Sequence, residues 1–213
     1  INYDAFQGAS DFKGFAVEEK NAVYSDIDGV LFDKAGETLY IYPYGKGDEY
    51  VAPEGIKSVA PNAFYYSEIK KVVFPDSLEA IQREAFRNST LLSTVEFGKG
   101  LKIIENDAFH SCRNLKNVSF SLFLEIIGDD AFNGCYNLEN VVFPETLTFI
   151  GQGAFRGCRS ITESSLPEKI TEISERAFNG CSSLKKITMG NSIKSIQDRA
   201  FSGCSSLEEI TLP

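Results

Sequence analysis

Five cysteines recur at intervals of 23 residues, and thiols repeated in this way could hold a zinc ion or pair as disulfides. They are Cys112, Cys135, Cys158, Cys181 and Cys204. Ligands stacked in a line cannot form the tetrahedron that zinc requires. Parallel Cα–Cβ bonds fit the disulfide dihedral angle poorly, and an odd number leaves one thiol unpaired. Tyr66, Ser89 and Ala9 hold the equivalent position in other units, and the last two indicate a demand for small size. The spacing therefore favours a buried row of free thiols.

A run of carboxylates near the N terminus is the second candidate for chemistry. Residues 26–33 read DIDGVLFD and resemble the first motif of haloacid-dehalogenase-type phosphatases, where the first Asp is the nucleophile and the second an acid–base, with magnesium. That motif needs a buried parallel strand before it and a body of alternating strands and helices. Residues 18–25 are polar instead. Calcium binding by Asp26, Asp28 and Asp33 is the alternative, but a bidentate Glu and the full loop spacing are missing.

His110 is the only histidine, so it is the obvious side chain to test as a general base near neutral pH. It directly follows Phe109, at a position where other units carry Arg87, Asn133 or Arg156, and we expect a polar, solvent-facing site. No serine–histidine–aspartate arrangement can be recognised. The sequence thus predicts no enzyme, with no catalytic residue, no cofactor and no metal ion.

All of these residues share a register set by a recurring Ala-Phe dipeptide. Its phenylalanines are Phe6, Phe64, Phe86, Phe109, Phe132, Phe155, Phe178 and Phe201. The step is 22 residues from Phe64 to Phe86 and 23 residues at each later step. A fixed period of this length is typical of stacked-repeat proteins, in which each unit buries its apolar face only against its neighbours.

Each unit, which we call a coil, shows the same order of apolar residues. A main strand carries alternating buried residues such as Ile187 and Met189, and a proline or glycine ends it. A return strand with Leu/Ile-x-x-Ile follows, and Ala-Phe-x-x-Cys then predicts a single helical turn. In one main strand Ser164 replaces the buried isoleucine. A buried hydroxyl without a partner costs about 1–3 kcal/mol, so we expect a bulge or an internal water there.

The segments Leu-x-x-Ile-x-Leu-Pro, Leu-x-x-Ile and Ala-Phe-x-x-Cys resemble the 23-residue leucine-rich repeats of the BspA-like family of bacterial cell-surface proteins, closely over residues 49–213. The resemblance implies a repeat solenoid with a parallel β-sheet on one face and short strands and single helical turns on the other. We expect an N-terminal coil with a β-hairpin insertion at 1–53. An array of about seven coils follows at 54–213, the last one truncated. The family offers no catalytic residues.

The N-terminal stretch departs from the repeat. Phe6, Phe12 and Phe15 fit one coil, and an insertion follows from about Glu18 to Asp48. Residues 29–32 and 38–42 are predicted to form a hairpin around a glycine-containing loop. Six of the nine tyrosines precede residue 51. A cap on the first coils is favoured, because repeat arrays need one; a tyrosine-rich binding lip is the alternative.

The charge of the chain excludes two classes of partner. Its 21 Lys and Arg against 30 Asp and Glu give a net charge of −9. Such a chain lacks the basic stripe of nucleic-acid-binding proteins and is repelled by anionic membranes. No apolar run reaches the roughly 18 residues of a membrane span, and residues 1–30 do not show the pattern of a signal peptide. Because the chain starts within a repeat unit and stops after a strand pattern at Pro213, we expect a piece of a longer protein.

The outward positions of the return strands form the best candidate for a binding surface. The residue before the buried isoleucine is Ile103, Ile126 and Phe149 in three consecutive coils, and Leu122 and Phe123 lie beside them. Contiguous exposed apolar residues usually mark interaction sites; burial by a neighbouring loop or chain is the alternative. The outward positions of the main strands are mixed, mostly polar, and lack aromatic and Arg anchors.

The resemblance and the apolar residues together favour an extracellular protein-binding or adhesion module of a bacterial surface protein. Its partner would be a host or matrix protein or a neighbouring cell surface, and self-association is also left open. A structural spacer that displays other domains of a larger surface protein is the alternative. A pure spacer should bind neither matrix proteins nor glycans.

Overall fold

The structure, a computed structural model, describes residues 1–212; Pro213, expected after the last strand, lies outside the described residues. Within that range the chain has one 3-10 helix, Tyr3–Phe6, and seventeen short strands. The strands are β1 Tyr24–Ile27, β2 Val30–Asp33, β3 Thr38–Ile41, β4 Glu49–Val51, β5 Ser58–Val59, β6 Lys71–Val73, β7 Ala80–Ile81, β8 Thr94–Glu96, β9 Ile103–Ile104, β10 Asn117–Ser119, β11 Ile126–Ile127, β12 Phe149–Ile150, β13 Glu163–Ser165, β14 Glu172–Ile173, β15 Lys186–Thr188, β16 Ser195–Ile196 and β17 Glu209–Thr211.

The strands from β4 onward stack in two parallel rows, because each coil contributes the same segments at the same height. The main strands form one sheet of β4, β6, β8 and β10 and a second of β13, β15 and β17. The return strands β5, β7, β9, β11 and β12 continue a sheet that starts with β1, β2 and β3, and β14 pairs with β16. Equivalent residues face each other, as Val95 faces Val72 and Val118. The predicted repeat solenoid is confirmed.

A ladder of stacked phenylalanine rings runs through the core. Centroids are 4.4 Å apart between Phe64 and Phe86 and 5.7 Å apart between Phe178 and Phe201, with ring planes within 10° at every step. The rings from Phe64 to Phe178 are fully buried. Such stacks contribute about 0.5–1.5 kcal/mol per pair beyond the burial itself. The ladder therefore fixes the register of every coil.

The Ala-Phe-x-x-Cys segments are tight turns closed by i→i+3 hydrogen bonds, not the turns of helix that the pattern predicts. In one coil the His110 amide donates to the Asp107 carbonyl at 3.0 Å and the Cys112 amide to the Phe109 carbonyl at 3.1 Å. The φ angles of Asp107 and Ser111 are 58° and 61°. A helix of L-residues cannot continue through left-handed positions. Glycine adopts a positive φ most easily, and later coils carry it at the position of Ser111, as Gly134, Gly157, Gly180 and Gly203.

The N-terminal hairpin is one strand larger than predicted. β1 pairs antiparallel with β2 across Asp28 and Gly29, whose φ angles are 48° and 75°. Two left-handed residues define the type I′ turn that matches the twist of a hairpin. β2 then pairs antiparallel with β3, and β3 pairs parallel with β5. The hairpin thus extends the return-strand sheet of the array.

The ring ladder begins at Tyr42 and not at Phe6. The Tyr42 amide donates to the Ala63 carbonyl at 2.9 Å, as the Phe64 amide does to the next coil, and the Tyr42 ring stacks on Phe64 at 4.9 Å. Phe6 instead stacks on Phe12 at 5.0 Å outside the ladder. The region expected to be an insertion therefore contains a coil of its own.

Both strand rows are interrupted at the same coil boundary. Residues 140–142 form no strand between β10 and β13, and β12 does not pair with β14. The Ala-Phe turns of successive coils are joined by amide-to-carbonyl hydrogen bonds, which we call the turn ladder, and this ladder continues through the boundary. The Phe155 amide donates to the Ala177 carbonyl at 2.8 Å and the Gly157 amide to the Asn179 carbonyl at 2.7 Å. The coils thus stay joined on the turn side while the strands separate.

Ser164 lies at this interruption. β13 keeps a regular register with β15, so the bulge predicted at Ser164 does not form; the pairing on its other side is lost instead. An open cleft of about 410 Å³ lies there, lined among others by Val141, Phe143 and Ser164. The serine leaves unfilled the space that an isoleucine such as Ile187 occupies in the next coil.

Candidate functional site

The five thiols form a buried hydrogen-bonded ladder. Each Sγ donates to the phenylalanine carbonyl of the preceding coil at 3.0–3.2 Å, as Cys112 does to Phe86. Ser89 fills the same place and donates its hydroxyl to the Phe64 carbonyl. The coil of Phe64 places Ser67 there, not Tyr66, because the Ser67 amide bonds to the Phe64 carbonyl. The position therefore favours a small side chain that can also donate a hydrogen bond. The sequence indicated only the small size.

The thiols are poorly suited to chemistry. All five are unpaired, and Cys112, Cys135, Cys158 and Cys181 are buried while Cys204 is half-buried near the end of the array. Burial raises the pKa of Cys112 and of Cys158 far above the ordinary thiol value. Because the thiolate is the reactive and metal-binding form, these groups act as packing residues.

The N-terminal carboxylates hold the hairpin together. Asp26 accepts the Val17 amide at 2.8 Å, and Asp33 accepts the Glu37 amide at 2.8 Å. Asp28 pairs with Lys46 at 3.0 Å and is exposed. Within residues 1–212, no three His, Cys, Asp or Glu side chains gather as a metal ion would need. Each Asp of the phosphatase-like run thus has a structural role of its own.

His110 is half-buried and joins a small charged cluster. Its Nδ1 lies 2.8 Å from Asp107 Oδ1, and Arg87 Nη1 lies 2.6 Å from the same oxygen. Burial opposes ionisation of Asp107, but the hydrogen bond from His110 and the charge of Arg87 outweigh it, so that its pKa is lowered. The cluster joins two coils, and within residues 1–212 the hydrogen-bond partner of the imidazole is the Asp107 carboxylate and not a nucleophile.

Three of the five predicted apolar residues lie side by side on the return-strand sheet, and the other two lie on a turn. Ile126 lies between Ile103 and Phe149 in adjacent strands. Ile103 and Ile126 are half-buried, and Phe149 is 47% exposed. On the turn that leads into β11, Leu122 is 74% and Phe123 55% exposed. No described segment of this chain covers these three side chains.

Val142 belongs to the same surface and was not recognised in the sequence. It is 78% exposed and shares a cleft of about 510 Å³ with Leu122, Phe120 and Pro144. The sequence placed it on a mostly polar main-strand face, since the interruption of that row is not visible from the repeat pattern. We call Ile103, Leu122, Phe123, Ile126, Val142 and Phe149 the apolar patch.

Comparison with known proteins agrees with this architecture. The family profile described as BspA type leucine rich repeat region matches residues 57–159 and 125–213, with six copies. Within residues 1–212, no helix has the length and apolar character needed to cross a membrane. No curated protein matches the chain.

Several solved structures share the fold. A leucine-rich repeat protein of T. pallidum is 31% identical, with 91% of each chain covered and a TM-score of 0.76. A leucine-rich repeat protein of Bacteroides ovatus is 26% identical over 93% of this chain, with a TM-score of 0.77. A leucine rich cell surface protein of Faecalibacterium prausnitzii is 25% identical over 90% of this chain, with a TM-score of 0.76. The match spans 53% and 55% of the last two proteins. On the family match and the T. pallidum relative, this chain belongs to the BspA type leucine-rich repeat family.

Proposed function

We propose that this chain is a protein-binding module of a bacterial surface protein, which adheres to a host or matrix protein or to a neighbouring cell and performs no catalysis. The observation that supports the proposal is the exposure of Leu122, Phe123, Val142 and Phe149 in the apolar patch, with half-buried Ile126 directly beside Phe149. Exposed contiguous apolar surface is avoided in monomeric soluble proteins unless it serves an interaction. The extracellular location rests on the F. prausnitzii relative, described as a cell surface protein.

The patch offers large side chains that a partner can bury. Leu122, Phe123 and Phe149 are each about half exposed or more. Burying one such side chain fully stabilises a complex by about 1.5–3 kcal/mol before the cost of association. Phenylalanine is enriched in the cores of protein interfaces. The patch thus provides a plausible centre for an interface of moderate affinity.

The interrupted main-strand row adds a second means of contact. Residues 140–142 pair with neither β10 nor β13. Unpaired strand edges invite pairing with an extended segment of another chain. A partner that lies along this edge would reach Leu122 and Val142 in the adjoining cleft.

A matched pair of triple variants tests the proposal. The variant Leu122→Ser, Phe123→Ser, Phe149→Ser removes the exposed part of the patch. Its control, Val23→Ser, Val51→Ser, Leu91→Ser, removes side chains that are 59%, 73% and 41% exposed elsewhere. Binding to a panel of purified matrix proteins is measured by biolayer interferometry, and self-association by sedimentation velocity.

We expect the patch variant to lose at least about tenfold in affinity, or to abolish self-association, since even one lost side-chain contact of about 1.4 kcal/mol has this effect. The control should stay within about twofold. Equal weakening of both variants would remove the patch from the binding site. A wild-type chain that binds nothing and sediments as a monomer would replace the adhesion proposal by the structural-spacer alternative.

A further inference from the structure

The Ala-Phe-x-x-Cys turns, together with the residue that follows each of them, carry a group of arginines. Arg113, Tyr136 and Arg159 directly follow the cysteines of three consecutive coils. The guanidinium carbons of Arg113 and Arg159 lie 5.9 Å and 4.7 Å from the centroid of the Tyr136 ring. Both distances are within cation–π range. We call Arg113, Tyr136, Arg156 and Arg159 the arginine site.

These arginines lack carboxylate partners, although the chain has a net charge of −9. Among the twelve ion pairs between described residues, none involves Arg113, Arg156 or Arg159. The register of the repeat explains why Arg156 has no carboxylate partner. Arg87, which follows Phe86, pairs with Asp107 of the next coil. Arg156 follows Phe155 in the same way, but the residue equivalent to Asp107 in its next coil is Arg176.

A shallow cleft of about 450 Å³ adjoins the site. Arg156 and Arg159 line it together with Asn133, Asn179 and Gly157, and no carboxylate is among its lining residues. The φ of 73° at Gly157 favours glycine on backbone grounds, and the missing side chain leaves the cleft floor open. The guanidinium groups of Arg156 and Arg159 on this carboxylate-free cleft, with Arg113 stacked on Tyr136 beside them, create a positive region on an acidic protein.

The site is built for anionic groups carried by a polar chain. Guanidinium groups bind sulfate, phosphate and carboxylate with paired hydrogen bonds. Stacking on Tyr136 already orders the Arg113 and Arg159 side chains, so they lose less conformational entropy when a ligand binds. A peptide ligand has less to hold it here. The Gly134 and Gly157 amides are already used in the turn ladder, at 2.8 Å and 2.7 Å, and the cleft has no apolar pocket for a side-chain anchor.

We propose that the arginine site binds a sulfated polysaccharide, whose pendant sulfates are held by arginines of two coils, those of Phe109 and Phe155, on either side of the coil that carries Tyr136. The site is separate from the apolar patch, so it does not depend on the proposed protein-binding function. Heparin is the probe. The wild-type chain should bind heparin oligosaccharides in calorimetry with an affinity that falls as salt is raised, because the contacts are exposed and screened.

The decisive comparison is between two triple variants that carry the same net charge. The variant Arg113→Gln, Arg156→Gln, Arg159→Gln should lose at least about tenfold in heparin affinity, since each lost charge-assisted contact is substantial. The control Arg83→Gln, Lys102→Gln, Arg199→Gln removes the same charge from cations that pair with Glu84, Glu79 and Asp198. It should stay within about twofold of the wild type, and circular dichroism checks that both variants fold.

Three outcomes would overturn the proposal. The first is a wild-type chain that does not bind heparin at low salt. In the second, both variants lose the same heparin affinity, so that the net charge of the chain and not the arginine site is responsible for binding. In the third, polyglutamate of matched length competes as well as heparin, which would assign the site to acidic peptides. Loss of heparin binding with intact matrix-protein binding by the patch would separate this proposal from the adhesion proposal.

Discussion

Replacement of Ser164 by valine should stabilise the chain, even though the serine is buried within a strand. Its side chain is 8% exposed, and its Oγ is buried without a hydrogen-bond partner. An unpaired buried hydroxyl costs about 1–3 kcal/mol, and each added buried methylene contributes about 0.8 kcal/mol. The adjoining cleft of about 410 Å³ gives the larger side chain room. We expect the free energy of unfolding to rise by about 1–3 kcal/mol.

Ser89→Val is the matched control, because the substitution is the same and the expected sign is opposite. Ser89 is fully buried, and its hydroxyl donates to the Phe64 carbonyl. Valine removes that hydrogen bond, worth about 0.5–1.5 kcal/mol net. It also adds volume between tightly stacked coils, and overpacking costs about 1–3 kcal/mol. The two costs act in the same direction, so the free energy of unfolding should fall by about 1.5–4.5 kcal/mol.

Urea and thermal unfolding, followed by circular dichroism, measure both variants. In a chain of this size a change of 1 kcal/mol shifts Tm by about 2–4 °C. Ser164→Val should raise Tm by at least about 2 °C with an unchanged urea m-value, and Ser89→Val should lower it. If Ser164→Val lowers Tm as much as Ser89→Val, the unpartnered hydroxyl is not a defect and the account of the interrupted sheet is refuted.

The other predictions concern titratable groups. In denatured, unreduced protein a thiol reagent should detect all five cysteines, whereas in the native chain half-buried Cys204 should react first, because burial suppresses thiolate formation elsewhere; fewer than five thiols in urea would contradict this. Burial, followed by the charges of Asp48 and Asp28, raises the pKa of Tyr42 from 10.0 to about 12. This folded-state pKa is the higher one, so the linked stability is complete below pH 10 and is lost between pH 10 and about 12; Tyr42→Phe should flatten the fall in urea midpoint over this range, and an unchanged slope would argue against it. Asp107 has a folded pKa below its ordinary 3.8, so its contribution is present above pH 3.8 and is lost as pH falls below it. Asp107→Asn should therefore weaken the acid dependence of Tm, and identical acid melting curves would count against the cluster.

The repeat itself could be predicted because its signal is periodic. Each Ala-Phe dipeptide from Phe64 on marks a rung of the ladder, and the strands on both sides follow from that register. The rung at Tyr42 was missed because Ile41-Tyr42 does not spell Ala-Phe. Its position 22 residues before Phe64 could have revealed it.

The N-terminal hairpin shows how one motif can conceal another. Asp28-Gly29 was considered as part of a phosphatase-like run, yet an Asp-Gly pair between apolar residues is a strong signal for a two-residue hairpin. That signal would have placed β1 on the polar segment before it. Strand propensity alone could not do so, because Tyr24–Ile27 is half-buried at most and carries Ser25 and Asp26.

The interruption of the sheets could be predicted only in part. Ser164 predicts a packing defect in the sequence, but it does not predict whether the strand forms a bulge or loses its pairing with the neighbouring coil. That outcome depends on which contacts between coils are strongest. At the boundary the turns are joined by ring stacking, by amide hydrogen bonds and by the Cys181 thiol, so these contacts continue across it. The strands contain only two or three residues, and fewer contacts are lost when they separate.

The same balance explains why two different surfaces occur on one coil stack. Where the strands separate, Val142 is exposed beside Leu122, and the backbone of residues 140–142 is left unpaired. On the continuous turn side, the spacing of the coils is set by Phe132, Phe155 and Phe178 at 5.3 Å and 5.5 Å. Of these three phenylalanines only Phe155 is followed by arginines, Arg156 and Arg159; Arg113, which lies on the other side of the Tyr136 ring, follows Phe109. An apolar surface with unpaired strand edges suits a protein chain, whereas a cluster of arginines without carboxylate partners suits a polyanion.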